Sequence, residues 1–202
     1  MPSRVPFWLK IAYTAFVLLL IPLYWDHYGP VNFLWFSNIA LLTTAVALWT
    51  EDALLASMMA VSVVLPEVVW NLGFFIRLFT GEELFGLSGY MFDDANPRFI
   101  RALSLYHVPL PFLLLWLLHR LGYDRRAPKF QTLLAWIILP LCFFLTDASG
   151  NENWVYGPGE TGQSWMPAWL WLALLMVAFP LLIYWPAHLL FKRNFSPPPP
   201  SR

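Results

Sequence analysis

The stretch ALLASMMAVSVVLPEVVWNLGFF at residues 53–75 decides the fold class. Glu67 is its only charged side chain. In a helix with a rise of 1.5 Å per residue, the stretch extends about 35 Å. The hydrocarbon core of a bilayer is about 30 Å thick and needs about 20 apolar residues per crossing. The stretch therefore predicts a membrane-spanning helix.

Other apolar stretches of comparable length occupy most of the remaining chain. They cover residues 7–25, 31–49, 102–118, 130–145 and 166–191. Of the 202 residues, 59% are apolar and 12% are charged, whereas soluble domains carry about 25% charged residues. We predict an all-α, polytopic integral membrane bundle of about six transmembrane helices. Residues 1–195 would form a single transmembrane domain, and residues 196–202 a disordered, proline-rich tail.

The distribution of basic residues predicts the orientation of this bundle. Six crossings put both termini on one side, together with nine basic residues, and leave three on the other side. The larger set is Arg4, Lys10, Arg120, Arg125, Arg126, Lys129, Lys192, Arg193 and Arg202, and the smaller set is Arg77, Arg98 and Arg101. Basic residues accumulate on the cytoplasmic side, so we expect both termini there, in the cell (inner) membrane. The net charge of +0 gives no reason to expect a nucleic-acid partner.

Polar side chains inside the predicted spans lie at one depth. Counting residues from the outer ends of their spans places His107, Asn38 and Glu67 at about 9, 10 and 12 Å, respectively. Asn71 lies one turn outward from Glu67 on the same helix face. Ionisable groups inside a membrane usually mark a functional site or a buried partner. This shared depth predicts an outer-leaflet polar pocket. The alternative is a protonated Glu67 bonded to a carbonyl and a His107 that only joins helices.

We assign the residues of this pocket two roles. His107 and Glu67 are candidate catalytic residues. Candidate substrate-binding residues are Asn38, Asn71, Trp35, Trp70, Asp147 and Trp154. The segment at 81–98 is either a loop that caps the outer end or a gate for a substrate.

Prolines next to these residues predict broken helices at the same depth. Pro66 precedes Glu67, and Pro109 and Pro111 follow His107. A proline inside a helix displaces the carbonyl four residues earlier, which for Pro111 is the carbonyl of His107. Such backbone is tolerated in a membrane where it is buried or lines a polar cavity. Simple kinks that serve packing are the alternative.

Several common sites are missing from the sequence. It has no phosphate-binding glycine loop, no HExxH motif and no paired cysteines, and Cys142 is its single cysteine. We therefore predict neither a metal nor a cofactor.

Four short motifs resemble the FAR-17a/androgen-induced family of six-helix integral membrane hydrolases. They are YGPVNFLWFSN at 28–38, WTED at 49–52, HVPLPF at 107–112 and GNENWVY at 150–156. The resemblance implies a six-helix fold with a lipid-ester pocket and a catalytic pair of threonine and histidine. His107 corresponds to that histidine with an offset of one residue. The threonine position is occupied by Trp35, and an indole is not a nucleophile.

Two functions follow from these observations. In the first, the protein is non-catalytic and uses the outer-leaflet pocket to bind a membrane lipid or a partner. In the alternative, it is an intramembrane lipid-ester hydrolase in which His107 is the general base and Glu67 orients it.

Overall fold

The computed structural model describes residues 3–84, 86–159 and 162–198, and all regular secondary structure in these ranges is helical. The predicted all-α fold class is confirmed. The α-helices are α1 (Phe7–Tyr28), α2 (Phe36–Thr50), α3 (Ala53–Thr80), α4 (Arg98–Ser104), α5 (Pro109–Leu121), α6 (Ala127–Leu145), α7 (Ala168–Ala178) and α8 (Trp185–Asn194). A π-helical turn, Phe179–Tyr184, joins α7 to α8, and 3-10 helices cover Pro30–Leu34, Gly89–Met91, Leu105–His107 and Glu152–Trp154.

Within the described residues, five continuous helical segments are long and apolar enough to cross a membrane. They are α1, α3, α6, Arg98–Leu121 (α4 to α5) and Ala168–Asn194 (α7 to α8). Their outer surface is apolar: Phe144 is 77% exposed and Leu182 is 73% exposed. An apolar surface of this extent is typical of contact with lipid.

Helix α2 is shorter than the other predicted spans. Its 15 residues extend about 22 Å, less than the thickness of the hydrocarbon core. The 3-10 helix Pro30–Leu34 precedes it. The predicted count of six crossings depends on this helix and stays a prediction.

The first and last described segments lie together at one end of the bundle, which we call the terminal end. Arg120 donates a hydrogen bond of 2.8 Å to the carbonyl of Arg4. The backbone N–H of Tyr123 donates one of 2.8 Å to the carbonyl of Ser196. Residues 196–198 of the predicted tail thus lie beside the α5–α6 connection, and residues 199–202 lie outside the described residues.

The long connections meet at the opposite end, the loop end. His27, in the last turn of α1, hydrogen-bonds Asn96 at 3.3 Å. The side chain of Asn153 accepts a hydrogen bond of 3.1 Å from the backbone N–H of Phe36. Helix α3 packs against α2, α5 and α6. It therefore runs through the centre of the bundle towards the loop end.

Candidate functional site

A cavity of about 450 Å³ occupies the loop end of the bundle. Its volume lies within the range of ligand pockets, about 300–1,000 Å³. Polar residues of its lining are Asn32, Ser37, Asn38, Ser62, Glu67, Ser104, His107, Asn151 and Asn153. Aromatic residues of its lining are Tyr24, Tyr28, Trp35, Phe36, Trp70, Tyr90, Tyr106, Trp154 and Phe179.

Glu67 and His107 form a buried pair in the wall of this cavity. Glu67 is 3% exposed and His107 is 9% exposed. Nδ1 of His107 lies 2.9 Å from Oε1 and 2.8 Å from Oε2 of Glu67. When Glu67 is ionised, its carboxylate only accepts hydrogen bonds, and Nδ1 of His107 is then the donor. In the neutral imidazole, Nε2 then keeps its lone pair, and it makes no hydrogen bond to any described residue.

Two aromatic rings hold the imidazole plane. The ring of Trp70 stacks on His107 with centroids 4.6 Å apart, and the ring of Tyr106 does so at 4.2 Å. The Tyr106 hydroxyl donates a hydrogen bond of 2.8 Å to Oδ1 of Asn38. The Asn38 amide donates in turn to the carbonyl and the side-chain oxygen of Asn32, both at 2.9 Å. This network fixes the imidazole from α2 as well as from α3.

Asn71 donates hydrogen bonds to backbone carbonyl groups near the helix-breaking prolines. Its side-chain amide donates a hydrogen bond of 2.9 Å to the carbonyl of His107 and one of 2.8 Å to the carbonyl of Glu67. The first carbonyl is the one that Pro111 displaces from the helix. An unsatisfied carbonyl is costly in a bilayer, and Asn71 therefore stabilises the break between α4 and α5.

The connection after α6 forms the outer wall of the cavity. Asn151, Asn153 and Trp154 have left-handed backbone, with φ of 44°, 52° and 59°. Such conformations cost about 1–3 kcal/mol each for residues other than glycine and cluster at functional sites. Asn153 is held by three contacts: it accepts from the N-terminus of α2 and donates to the carbonyl of Leu34 and to Sγ of Cys142.

The predicted site residues separate into three groups. Those that line the cavity are Trp35, Asn38, Glu67, Trp70, His107 and Trp154. Asn71 contacts the backbone behind the cavity wall instead. Asp147 is exposed and does not line the cavity. Hydrogen bonds from the side chain and backbone of Ser149 and from the backbone of Gly150 lower the pKa of Asp147, so its carboxylate organises the loop.

Several cavity residues escaped the sequence analysis. Tyr106 stacks on His107, Tyr24 hydrogen-bonds Ser104, and the hydroxyl of Tyr28 is buried without a hydrogen bond to any described residue. Gly86, Leu87 and Tyr90 bring the 81–98 segment to the cavity. The only available signal was the position of Tyr106 directly before His107.

The site offers acid–base groups but no cluster of metal ligands. Among the described residues, no group of three or more His, Cys, Asp or Glu side chains is close enough to hold a metal ion.

Comparison with family models, with curated proteins and with solved structures found no match to this chain.

Proposed function

We propose that this protein is an integral membrane protein that binds a membrane lipid in the loop-end cavity, with the Glu67–His107 pair facing the polar group of the lipid. The observation that carries the proposal is this pair, which lies at the wall of an aromatic cavity inside an apolar bundle. Ionisable groups at membrane depth usually serve a pathway or a ligand. A lipid is the ligand that the surrounding bilayer supplies.

We place the loop end in the outer leaflet of the cell (inner) membrane and both termini in the cytoplasm. The support is the distribution of basic residues, nine on the side of the two termini and three on the opposite side. The positive-inside rule places the side with more basic residues in the cytoplasm. Three of the motifs that resemble the FAR-17a/androgen-induced family, at 28–38, 107–112 and 150–156, contribute residues to the loop end and agree with a lipid pocket there.

Filling the cavity tests the binding function. Ser37 lines the cavity at the start of α2, and Val46 faces outward on the same helix, 51% exposed. We expect the purified wild-type protein and Val46→Phe to retain the same lipid, detected by native mass spectrometry and lipid extraction. Ser37→Phe should elute as a folded protein with that lipid reduced. Equal lipid in the two variants, or none in the wild type, would overturn the proposal.

The geometry of His107 favours hydrolysis as a second candidate function. With its Nδ1–H held by Glu67, Nε2 takes a proton from a water molecule, and the water oxygen attacks the carbonyl carbon of an ester. The C–O bond to the alcohol then breaks, and the alcohol leaves with the proton from the imidazolium. Water is the nucleophile here because Trp35 occupies the position of the family's threonine.

A panel of lipid esters tests this second function. The wild-type protein and His119→Ala, which alters an exposed histidine of α5, should release fatty acid. His107→Ala should release none, and Glu67→Gln should release it more slowly because the imidazole loses its charged partner. Folded wild-type protein that hydrolyses no ester would remove catalysis and leave lipid binding in place.

A further inference from the structure

The charges around the cavity restrict the chemistry of its ligand. Among the described lining residues, Glu67 is the only acidic side chain, His107 is the only histidine, and none is Lys or Arg. Proteins recognise phosphate and carboxylate groups chiefly through Arg and Lys. The lining therefore lacks the usual partners of an anionic headgroup.

Two of the three arginines near the loop end are engaged elsewhere, and the third, Arg98, is exposed and does not line the cavity. Arg77 forms an ion pair with Glu83 at 2.8 Å. Arg101 contacts Asp94 at 3.2 Å and also donates to the carbonyl of Met91. Neither arginine lines the cavity. An anionic group inside the cavity would face the Glu67 carboxylate without a Lys or Arg beside it, and an unpaired buried charge is strongly unfavourable.

A cationic headgroup is also poorly matched. Aromatic walls favour cations, but the carboxylate that would pair with one is already occupied. Both oxygens of Glu67 lie within 2.9 Å of Nδ1 of His107. A cation would have to displace the imidazole from a contact that is also held by stacking on Trp70 and Tyr106.

We infer that the ligand is an uncharged single-chain lipid whose polar part is a hydroxyl, ester or amide group. Nε2 of His107 can accept a hydrogen bond, and the Tyr106 hydroxyl oxygen and Oδ1 of Asn38 each keep acceptor capacity beside their mutual hydrogen bond, so these atoms are suited to uncharged hydrogen-bonding groups. Phe36, Phe179 and other apolar lining residues suit an acyl chain. A cavity of about 450 Å³ lies in the lower half of the usual range of ligand pockets, which favours one chain over two. This inference rests on the proposed lipid-binding function.

Three lipids with the same chain test the inference. Saturable binding of radiolabelled mono-oleoylglycerol, oleoyl lysophosphatidate and oleoylcholine to the purified protein is measured in detergent, and each unlabelled lipid is then tested as a competitor of labelled mono-oleoylglycerol. We expect saturable binding of the neutral lipid, and charged competitors that are weaker by at least about tenfold, because the cavity offers their charge no partner. Either charged lipid competing as well as the neutral one would overturn the inference and leave lipid binding intact. Absence of saturable binding of all three would overturn both.

A basic residue placed in the cavity should reverse the preference. Tyr28 lines the cavity, and its hydroxyl is buried without a hydrogen bond to any described residue. Tyr28→Arg should improve competition by lysophosphatidate relative to mono-oleoylglycerol by about tenfold. The matched control is Trp25→Arg, on the same helix at a position that is 58% exposed, and it should leave the ratio unchanged. An equal shift in both variants would show that charge at the protein surface, and not in the cavity, selects the lipid, and would overturn the inference.

Discussion

The coupling between Glu67 and His107 predicts how two substitutions in the site affect stability. His107→Phe keeps a ring between Trp70 and Tyr106 but leaves the Glu67 carboxylate, 3% exposed, without its partner. Glu67→Leu leaves the imidazole without its acceptor. The double variant replaces the polar pair by two apolar side chains. Comparison of the four proteins isolates the interaction between the two side chains.

The magnitude follows from the distance and burial of the pair. Nδ1 of His107 lies 2.8 Å from the Glu67 carboxylate, which makes a charge-assisted hydrogen bond in a buried site. Removal of one partner of a buried charged pair costs about 3–5 kcal/mol, because the remaining charge is left uncompensated. We expect that loss in the free energy of unfolding of His107→Phe. For Glu67→Leu we expect about 1–3 kcal/mol, the cost of an unsatisfied neutral group.

The double variant should be more stable than His107→Phe, because replacing both partners by apolar groups is often neutral. We therefore expect a coupling free energy of at least about 2 kcal/mol. Equilibrium unfolding in mixed dodecylmaltoside and dodecylsulfate micelles, followed by tryptophan fluorescence, measures it. The exposed His119→Phe serves as a control and should change stability by less than about 0.5 kcal/mol. If the losses of the two single variants add in the double variant, the pair does not interact and the site as described is refuted.

The remaining predictions concern the two ends of the bundle. Burial opposes ionisation of Glu51, but hydrogen bonds from the Lys10 ammonium, the Ser3 hydroxyl and two backbone N–H groups outweigh it and lower its pKa from 4.5 to about 2. Because the folded state binds the proton less tightly than the unfolded state, this stabilisation is fully present above pH 4.5 and is lost as the pH falls towards 2. The difference in Tm between wild type and Glu51→Gln should therefore shrink on acidification. A constant difference would contradict this. Asn153→Ala removes the cap of α2 and should lower the free energy of unfolding by about 1–3 kcal/mol, measured in mixed micelles; a loss below about 0.5 kcal/mol would argue against the cap. For orientation, an impermeant thiol reagent added to cells should label Ser164→Cys and spare Ser196→Cys, both in a Cys142→Ala background, and the opposite pattern would invert the topology.

Sequence reasoning reached the helical fold and the centre of the site because both depend on local pattern and on depth. The rise per residue places Glu67 and His107 at one level, and the structure places their side chains in contact. Proline chemistry singled out the His107 carbonyl, to which Asn71 donates. These relations require only the position of a residue along its own helix.

Features set by contacts between distant segments were not predictable in this way. The amide of Asn153 caps a helix that begins 117 residues earlier in the chain, and its left-handed backbone has no signature in local apolar periodicity. Asp147 appeared to belong to the site because it follows an apolar stretch, but its carboxylate is occupied by its own loop. The beginning of α2 was placed too early, since residues 31–35 belong to the 3-10 helix and its connection.

The shortness of α2 has a consequence for the thickness of the dry barrier at the loop end. If α2 crosses the membrane as predicted, its length of about 22 Å leaves about 8 Å of a 30 Å hydrocarbon core to be crossed by residues 29–35. Irregular backbone at that depth has to be buried in protein or border water, and Asn32 and Trp35 of this segment line the cavity. Water that enters along them would reach Asn38 and the imidazole, so the insulating layer beneath the cavity is thinner than the bilayer around it. A lipid bound as proposed would then exchange its polar group with the headgroup region along a hydrated path.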